Sequence, residues 1–251
     1  MQRFLVLGYG IACYGAFLIV FLYTIGFVTN FSVANFAVPK SIDDGPRGEL
    51  GPSLVTDGLL VGLFAVQHSV MARPAFKRVW TRVVPPAAER STYVLFTNLA
   101  LIILFWQWRP LPQVVWNLES PALRALLWSI NAFGWGIVLV STFLVDHFEL
   151  FGLRQVFLNF TRQSDRPGKL KKFGLYRLVR HPLMTGFLIA FWATPTMSVG
   201  HLFFAATMTT YILIAVHIEE RDLLTYFGDE YRSYQGEVGM LVPGFQRTTR
   251  P

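Results

Sequence analysis

The sequence predicts an all-α integral membrane protein, a polytopic bundle of five to six membrane helices whose last two form a tight hairpin. Of its 251 residues, 53% are hydrophobic and only 15% are charged, whereas a soluble domain carries about 25% charged residues. Several apolar runs also approach the roughly 20 residues with which a helix crosses a bilayer. We therefore expect one membrane domain over 1–251, with four membrane helices in 1–145 and the functional half in 146–251.

Six apolar runs give the order of the helices. Residues 4–28 carry no charge, and this run is too long for the apolar region of a signal peptide. Three further runs of spanning length are 54–71, 92–106 and 125–145. The runs 183–199 and 202–216 are shorter and are interrupted by Pro195 and Gly200. These two runs predict the hairpin.

Basic residues predict the orientation, because cytoplasmic loops carry an excess of Lys and Arg. With the N-terminus inside, only four of the 22 basic residues fall on the outer side: Lys40, Arg47, Arg109 and Arg124. We expect both termini in the cytoplasm and the protein in a bacterial inner membrane. Attraction to anionic lipid then accounts for the net charge of +7, so membrane lipid is the expected partner and nucleic acid is not.

The positions of the tryptophans support this topology. Tryptophans typical of an outer aromatic belt lie where the third and fourth helices meet the outer interface: Trp106, Trp108, Trp116 and Trp128.

Cys13 is the only cysteine, so an intrachain disulfide and a thiolate metal site are both excluded. We expect no bound metal, and the sequence does not determine the oligomeric state.

Ionisable residues near helix ends gather on the predicted cytoplasmic side. They are His68, Asp146, His147, Arg180, His181, His217, Glu219 and Glu220. Polar side chains at membrane depth usually face a cavity or a partner. A polar site at the cytoplasmic boundary is therefore expected, although His68 could equally be hydrogen-bonded between helices. Asp146 and His147 are adjacent, so on a continuing helix they would point in different directions.

The segment Arg180-His181-Pro182 and the pair Glu219-Glu220 are the sharpest features. Proline suits the first turn of a helix, where free N–H groups can hold an anion. One glutamate could orient Arg180 while the other binds ligand hydroxyls. The alternatives are a basic flank of a membrane helix and a solvated helix end with ion pairs of about 0–1 kcal/mol. Tyr231 and Tyr234 share a helix face and would form either an aromatic lid or a surface that packs against the membrane.

Together these motifs resemble a known family. Leu178-Val-Arg-His-Pro182, Glu219-Glu-Arg-Asp-Leu223 and Phe227-Gly-x-x-Tyr231-x-x-Tyr234 are similar to the isoprenylcysteine carboxyl methyltransferase superfamily of membrane enzymes. Four further segments resemble the bacterial methanethiol S-methyltransferases, which are related to NnrU-type membrane proteins. These segments begin at Gln67, Pro85, Phe105 and Phe148, and with them the resemblance spans nearly the whole chain.

The resemblance implies transfer of a methyl group from S-adenosylmethionine to methanethiol, which gives dimethyl sulfide. The residues that it assigns to the cofactor are Tyr176, Val179, Arg180, His181, Met184, Glu219, Glu220 and Tyr231. His68, Asp146 and His147 are expected to activate the thiol, and Tyr211 to hydrogen-bond its sulfur. Met184 departs from the superfamily, which usually has tyrosine there; a hydroxyl contact would be lost or supplied by Thr185.

Two other classes of function stay open. The same superfamily could methylate a prenyl-cysteine or lipid acceptor, which needs a long apolar groove. A non-enzymatic bundle could instead bind haem or conduct ions through His68 and His147. Without the resemblance, the residues alone indicate only a multi-span protein with a cytoplasmic polar site.

Overall fold

The computed structural model describes residues 1–33, 36–164 and 170–244. Four basic residues used to predict the orientation lie outside these ranges: Arg166, Lys169, Arg247 and Arg250. Ten α-helices are described: α1 (Gln2–Thr29), α2 (Leu50–Ala72), α3 (Pro74–Trp80), α4 (Pro86–Gln107), α5 (Pro121–Val145), α6 (His147–Leu150), α7 (Leu153–Thr161), α8 (Pro182–Trp192), α9 (Val199–Phe227) and α10 (Asp229–Glu237).

Five of these helices, α1, α2, α4, α5 and α9, are long and apolar enough to cross a membrane. The prediction of an all-α integral membrane protein is therefore confirmed. The strands are short: β1 (Ser32–Val33) pairs antiparallel with β2 (Phe36–Ala37), with Ser32 opposite Ala37. A second two-stranded sheet consists of β3 (Val114–Asn117) and β4 (Thr196–Ser198).

Local sequence explains where the helices begin and end. Four of them, α3, α4, α5 and α8, begin with proline, whose missing N–H would have no intrahelical partner at that position. The C-cap of α1 is Asn30, whose φ of 52° is left-handed, a conformation that asparagine tolerates better than most residues. Gly228, with a φ of 57°, separates α9 from α10.

The helices of the predicted hairpin differ from expectation. The first, α8, has only 11 residues. The second, α9, runs on to Phe227 instead of ending at Val216, so Glu219 and Glu220 lie inside a helix. No glycine or proline lies between Val216 and Gly228, and nothing in that stretch stops a helix. Gly200 is the second residue of α9 and does not interrupt it.

The chain divides into two compact units. The first unit consists of Met1–Trp116, His147–Arg166 and Met197–Phe204, and the second of Asn117–Asp146, Pro167–Thr196 and Ala205–Pro251. This division does not test the predicted single domain, which stays a prediction.

Aromatic side chains fill the first unit, in which α4 packs against both α1 and α2, and α7 packs against α1. Gly10 of α1 approaches Val156 so closely that an added Cβ would lie 2.6 Å from a valine methyl group. Trp108 is fully buried, and its Nε1 donates to Ile42 O at 3.1 Å. The prediction that Trp108 belongs to an interfacial belt is therefore wrong, whereas Trp106 is exposed.

In the second unit α5 packs against α8 through small residues. A Cβ added to Gly134 would lie 2.8 Å from Ala190 N, and one added to Gly186 would lie 2.8 Å from Gly134 O. Asn131 Nδ2 also donates to Ala190 O at 2.7 Å. Close backbone approach and polar bonds between helices are typical of association within a bilayer. This contact fixes α8, whose first turn carries the candidate site.

Candidate functional site: a buried ion-pair cluster

Backbone pairing holds the candidate site at the start of α8. Arg180 N donates to Gly239 O at 2.8 Å, and His181 N donates to Met240 O at 3.1 Å. Val179, which is buried, pairs with Gly239 in a parallel bridge. The segment that follows α10 therefore fixes the positions of the arginine and the histidine.

The Arg180 side chain is almost fully enclosed. Its Nε lies 2.7 Å from Glu220 Oε1, and the side chain is 8% exposed. Its Nη1 donates to the carbonyl oxygens of Gln235 and Val238. These partners hold the guanidinium against Glu220.

Glu220 is the centre of the cluster. Besides Arg180, its Oε1 receives His181 Nε2 at 3.2 Å and Tyr231 Oη at 3.3 Å, while Oε2 receives Gln235 Nε2 at 2.9 Å. An ionised carboxylate only accepts hydrogen bonds, so His181 Nε2 bears a hydrogen. Four donors offset the cost of burying this charge.

Glu219 has a different environment from its neighbour. Its side chain is 47% exposed, and its Oε2 lies 3.7 Å from His181 Nδ1. Adjacent residues on α9 thus provide one buried carboxylate that is occupied by Arg180 and one that can meet a ligand.

The tyrosines of α10 are buried and do not form an exposed lid. Tyr231 donates to Glu220, and Tyr234 donates to Tyr176 O at 2.5 Å. Burial, reinforced by the negative charge of Glu220, raises the pKa of Tyr231. Burial raises the pKa of Tyr234 to about 12, against the opposing charge of Arg180. Both phenols are therefore neutral hydrogen-bond donors at physiological pH.

A cavity of about 270 Å³ lies in the same unit. It is lined by Lys172, Tyr176, Arg177, Tyr234, Glu237 and Val238. Lys172 Nζ lies 5.7 Å from the Tyr234 ring centroid and 3.6 Å from Glu230 Oε1. Burial, with the charge of Glu219, raises the pKa of Tyr176. The cavity thus offers cations, a carboxylate and aromatic rings in one place.

Sequence reasoning missed part of this site. Lys172 and Arg177 enter the sequence analysis only among the basic residues on the predicted cytoplasmic side, and Glu237 does not enter it. The carbonyl oxygens of Gln235 and Val238 could not be found, because a backbone acceptor has no sequence signature. Only the Lys171-Lys172 pair ahead of Tyr176 could have indicated that cations meet an aromatic ring here.

Four residues named in the sequence analysis take other positions in the second unit. Tyr211 precedes Glu220 by nine residues on α9, about 14 Å along the helix axis, so it is not part of the cluster. Met184 is half-buried in α8. The Thr185 hydroxyl donates to Leu241 O at 2.9 Å, so it is not free to replace the missing tyrosine. Asp146 is the C-cap of α5, with a φ of 146°.

The two predicted thiol-activating histidines lie in the first unit, each bonded to a tyrosine. His68 Nε2 is 2.8 Å from Tyr93 Oη, and its Nδ1 is 3.2 Å from Thr97 Oγ1. His147 Nε2 is 2.8 Å from Tyr14 Oη. Within the described residues, no group of three or more His, Cys, Asp or Glu side chains could hold a metal ion.

Comparison with known proteins agrees with the geometry of a membrane bundle. A Mycobacterium tuberculosis protein named methanethiol S-methyltransferase is 51% identical over 249 residues, which cover 99% of this chain and 100% of the relative. Methanethiol S-methyltransferase 1 of Bradyrhizobium diazoefficiens is 49% identical over 241 residues, which cover 96% of this chain and 83% of the relative. Mouse (Mus musculus) nurim is 31% identical over 68% of each chain. No solved structure matches the chain significantly.

The profile of the NnrU protein family matches residues 58–218. This range includes Arg180 and His181 and ends one residue before Glu219. With this match and relatives at about half identity along nearly its whole length, the chain belongs to the NnrU protein family.

Proposed function

We propose that this protein is a membrane methyltransferase that transfers a methyl group from S-adenosylmethionine to methanethiol and releases dimethyl sulfide. The observation that carries the proposal is the 51% identity to a protein named methanethiol S-methyltransferase over 99% of this chain. Such extensive identity between membrane proteins supports a shared reaction as well as a shared fold. The acceptor is then a small thiol rather than a lipid.

The second unit suits the methyl donor. S-adenosylmethionine carries a carboxylate, an ammonium group, ribose hydroxyls and an aromatic base. Lys172 and Arg177 would hold the carboxylate, Glu219 and Glu237 the ammonium and hydroxyl groups, and Tyr176 the base. The cavity of about 270 Å³ is near the lower end of the size of small-molecule sites. Arg180, His181, Glu220 and Tyr231 would keep these groups in place, with Val179 and Met184 as apolar neighbours.

The reaction needs an ionised acceptor. A thiol with a pKa near the 8.5 of free cysteine or above it is mostly protonated at neutral pH, yet it reacts as the thiolate. The donor supplies a methyl group on a positively charged sulfur. Thiolate and sulfonium charges cancel as the new S–C bond forms, so an environment that excludes water favours the reaction. His68, Asp146 or His147 would assist in forming the thiolate, and Tyr211 would bind sulfur.

The orientation predicted from the basic residues completes the proposal. With both termini in the cytoplasm, the charged donor would arrive from the side where it is made, and the apolar thiol and sulfide would cross through the lipid. In a bacterium the membrane concerned would be the inner membrane. Reporter fusions at each terminus and in the loop before α2 test this orientation.

Headspace gas chromatography tests the function. Purified protein supplied with S-adenosylmethionine and methanethiol should release dimethyl sulfide above a protein-free control. Arg180→Ala should abolish it, because Glu220 then loses its buried partner. Arg232→Ala is the matched control, since its ion pair with Asp229 is exposed. If calorimetry shows that the protein binds S-adenosylmethionine but no dimethyl sulfide is formed, the acceptor would be a prenyl-cysteine or a lipid instead of methanethiol. Without donor binding, a haem spectrum would indicate the non-enzymatic alternative.

A further inference from the structure

We propose that the first unit binds an anionic phospholipid in a groove between the starts of α1 and α4. One acyl chain of the lipid lies in the groove, and its phosphate lies at the end of the groove near Gln2 and Val84, which we call the mouth. This binding site goes beyond the proposed methyl transfer and does not depend on it. All of the residues that form it belong to the first unit.

The groove has the size and the depth of a ligand site. Its volume of about 390 Å³ lies within the range of small-molecule sites. Four residues of α1 from Gln2 to Tyr9 line one wall, and four residues from Val84 to Thr92 line the other. Gln2 and Tyr9 are seven residues apart, so the groove extends about 10 Å along α1. Because both helices are apolar enough to cross a membrane, its inner end lies at the depth of lipid chains.

The inner part of the groove presents mainly apolar surface to a ligand. Tyr9 Oη donates to Thr92 Oγ1 at 3.0 Å, and Thr92 Oγ1 donates to Ala88 O at 2.9 Å. These two bonds use the hydroxyl hydrogens of both polar side chains at the inner end. Ala88 and Thr92 are small residues one turn apart on α4, which leaves space beside the larger side chains of α1. A hydrocarbon chain suits this surface better than a polar ligand does.

The mouth of the groove is flanked by two arginines. Arg3 follows the lining residue Gln2, and Arg82 precedes the lining residue Val84 by two positions; both arginines are exposed. Val84 N donates to Trp80 O at 3.0 Å, so a hydrogen-bonded turn connects Arg82 to the wall of the groove. A long arginine side chain can lay its stem on apolar surface and keep its charge in the headgroup layer. The two cations therefore suit a lipid phosphate at the mouth.

The starts of both helices add positive charge at the mouth. Within the described part of the chain, neither N-cap residue, Met1 of α1 or Pro85 of α4, makes a side-chain cap hydrogen bond. A helix N-terminus favours phosphate through its free N–H groups and its dipole. The stretch 73–90 has five basic residues and one acidic residue, Glu89, whose charge interacts with Lys77. Basic pockets between membrane helices are typical sites for anionic lipid headgroups.

Native mass spectrometry of the full chain in detergent tests the site, with phosphatidylglycerol and phosphatidylcholine of identical acyl chains as probes. Phosphatidylglycerol should bind at least about fivefold more tightly, the effect of one basic contact with an anionic lipid. Arg3→Gln and Arg82→Gln should each weaken its binding about fivefold. Arg47→Gln is the matched control, because this arginine is exposed but lies in the loop at the other end of α1. The control should bind phosphatidylglycerol as wild type does.

A second pair of variants tests the place of the acyl chain. Val6→Phe adds a ring to the wall of the groove, whereas Ile11→Phe adds the same ring at an exposed position of α1 that does not line it. Val6→Phe should weaken phosphatidylglycerol binding about tenfold, as expected when about two methylene groups lose their contacts. Ile11→Phe should not change it. If Val6→Phe does not fold, Val84→Phe makes the same test from the opposite wall.

Several outcomes would overturn the proposal. Equal binding of the two lipids would refute an anionic site, and equal losses in Arg47→Gln and Arg82→Gln would indicate unspecific attraction of charge. Unchanged binding in the groove-filling variants would refute the position of the acyl chain. Displacement of the lipid by added glycerol 3-phosphate would show that the mouth recognises a soluble phosphate compound instead. Since no methyl donor is present, failure of the proposed methyl transfer would leave these results unaffected.

Discussion

Replacing Gly134 with alanine tests the packing that fixes the candidate site. The added Cβ would lie 2.8 Å from Ala190 N and 2.9 Å from Gly186 O, both of them backbone atoms. Neither atom can move alone, so α5 and α8 must separate by a few tenths of an ångström or more. Overpacking of this kind costs about 1–3 kcal/mol. The 2.7 Å bond from Asn131 to Ala190 O would also lengthen.

Gly136→Ala is the matched control for this change. Gly136 lies on the same helix, and an added Cβ would meet nothing within 4 Å. Both substitutions gain the roughly 1 kcal/mol by which alanine exceeds glycine in helix propensity, so their difference isolates the packing. At about 2–4 °C per kcal/mol, Gly134→Ala should melt about 2–12 °C below Gly136→Ala in detergent. Equal melting temperatures for the two variants would refute the close contact.

Three further predictions concern charge, backbone strain and pH. Glu220→Gln should lower the free energy of unfolding by about 3–5 kcal/mol, because Arg180 keeps its charge and loses its buried partner. Glu219→Gln changes an exposed carboxylate and should alter the free energy of unfolding by about 0.5 kcal/mol or less. Thermal unfolding of both variants checks this, and equal effects would contradict it. Asp146→Gly should be about 1 kcal/mol more stable than Asp146→Ala in thermal unfolding, because both variants lose the carboxylate and only glycine relieves a φ of 146°; equal stabilities would contradict it. The pKa of Tyr234 is raised to about 12 in the folded protein. Its contribution to stability is therefore fully present below the unfolded pKa of about 10 and is lost as pH rises toward 12, at up to about 1.4 kcal/mol per pH unit. Tyr234→Phe should flatten that decline in alkaline unfolding curves, and an unchanged slope would contradict this.

Hydropathy was sufficient to find the long helices, because a membrane helix must satisfy its own backbone and carry an apolar surface. It placed α1, α2 and α5 within a few residues of their observed bounds, but its third run began at residue 92, whereas α4 begins at Pro86. It failed where apolar length is not the deciding quantity. The last third of α9 is polar and still helical, since no helix breaker precedes Gly228. Trp108 was assigned to an interface, but its indole N–H has a buried carbonyl partner instead.

The candidate site shows a similar division. Pairing of Arg180 with one glutamate, leaving the other for a ligand, was expected from the motifs, and Glu220 is the residue that pairs. The motifs could not predict that the guanidinium would be occupied on its other side by carbonyl oxygens of Gln235 and Val238. They also could not predict that Tyr93 Oη lies 2.8 Å from His68 Nε2, because a tyrosine in an apolar helix has the same pattern whether it packs or forms a hydrogen bond.

The most direct test of the proposed reaction follows the methyl group itself. Purified protein would be given S-adenosylmethionine with a fully deuterated methyl group and unlabelled methanethiol, and the headspace would be analysed by mass spectrometry. We expect dimethyl sulfide that carries one deuterated and one ordinary methyl group, formed in wild type and Arg232→Ala and lost in Arg180→Ala. Unlabelled product, or no product from wild-type protein that binds the donor, would contradict methyl transfer from this donor to this thiol.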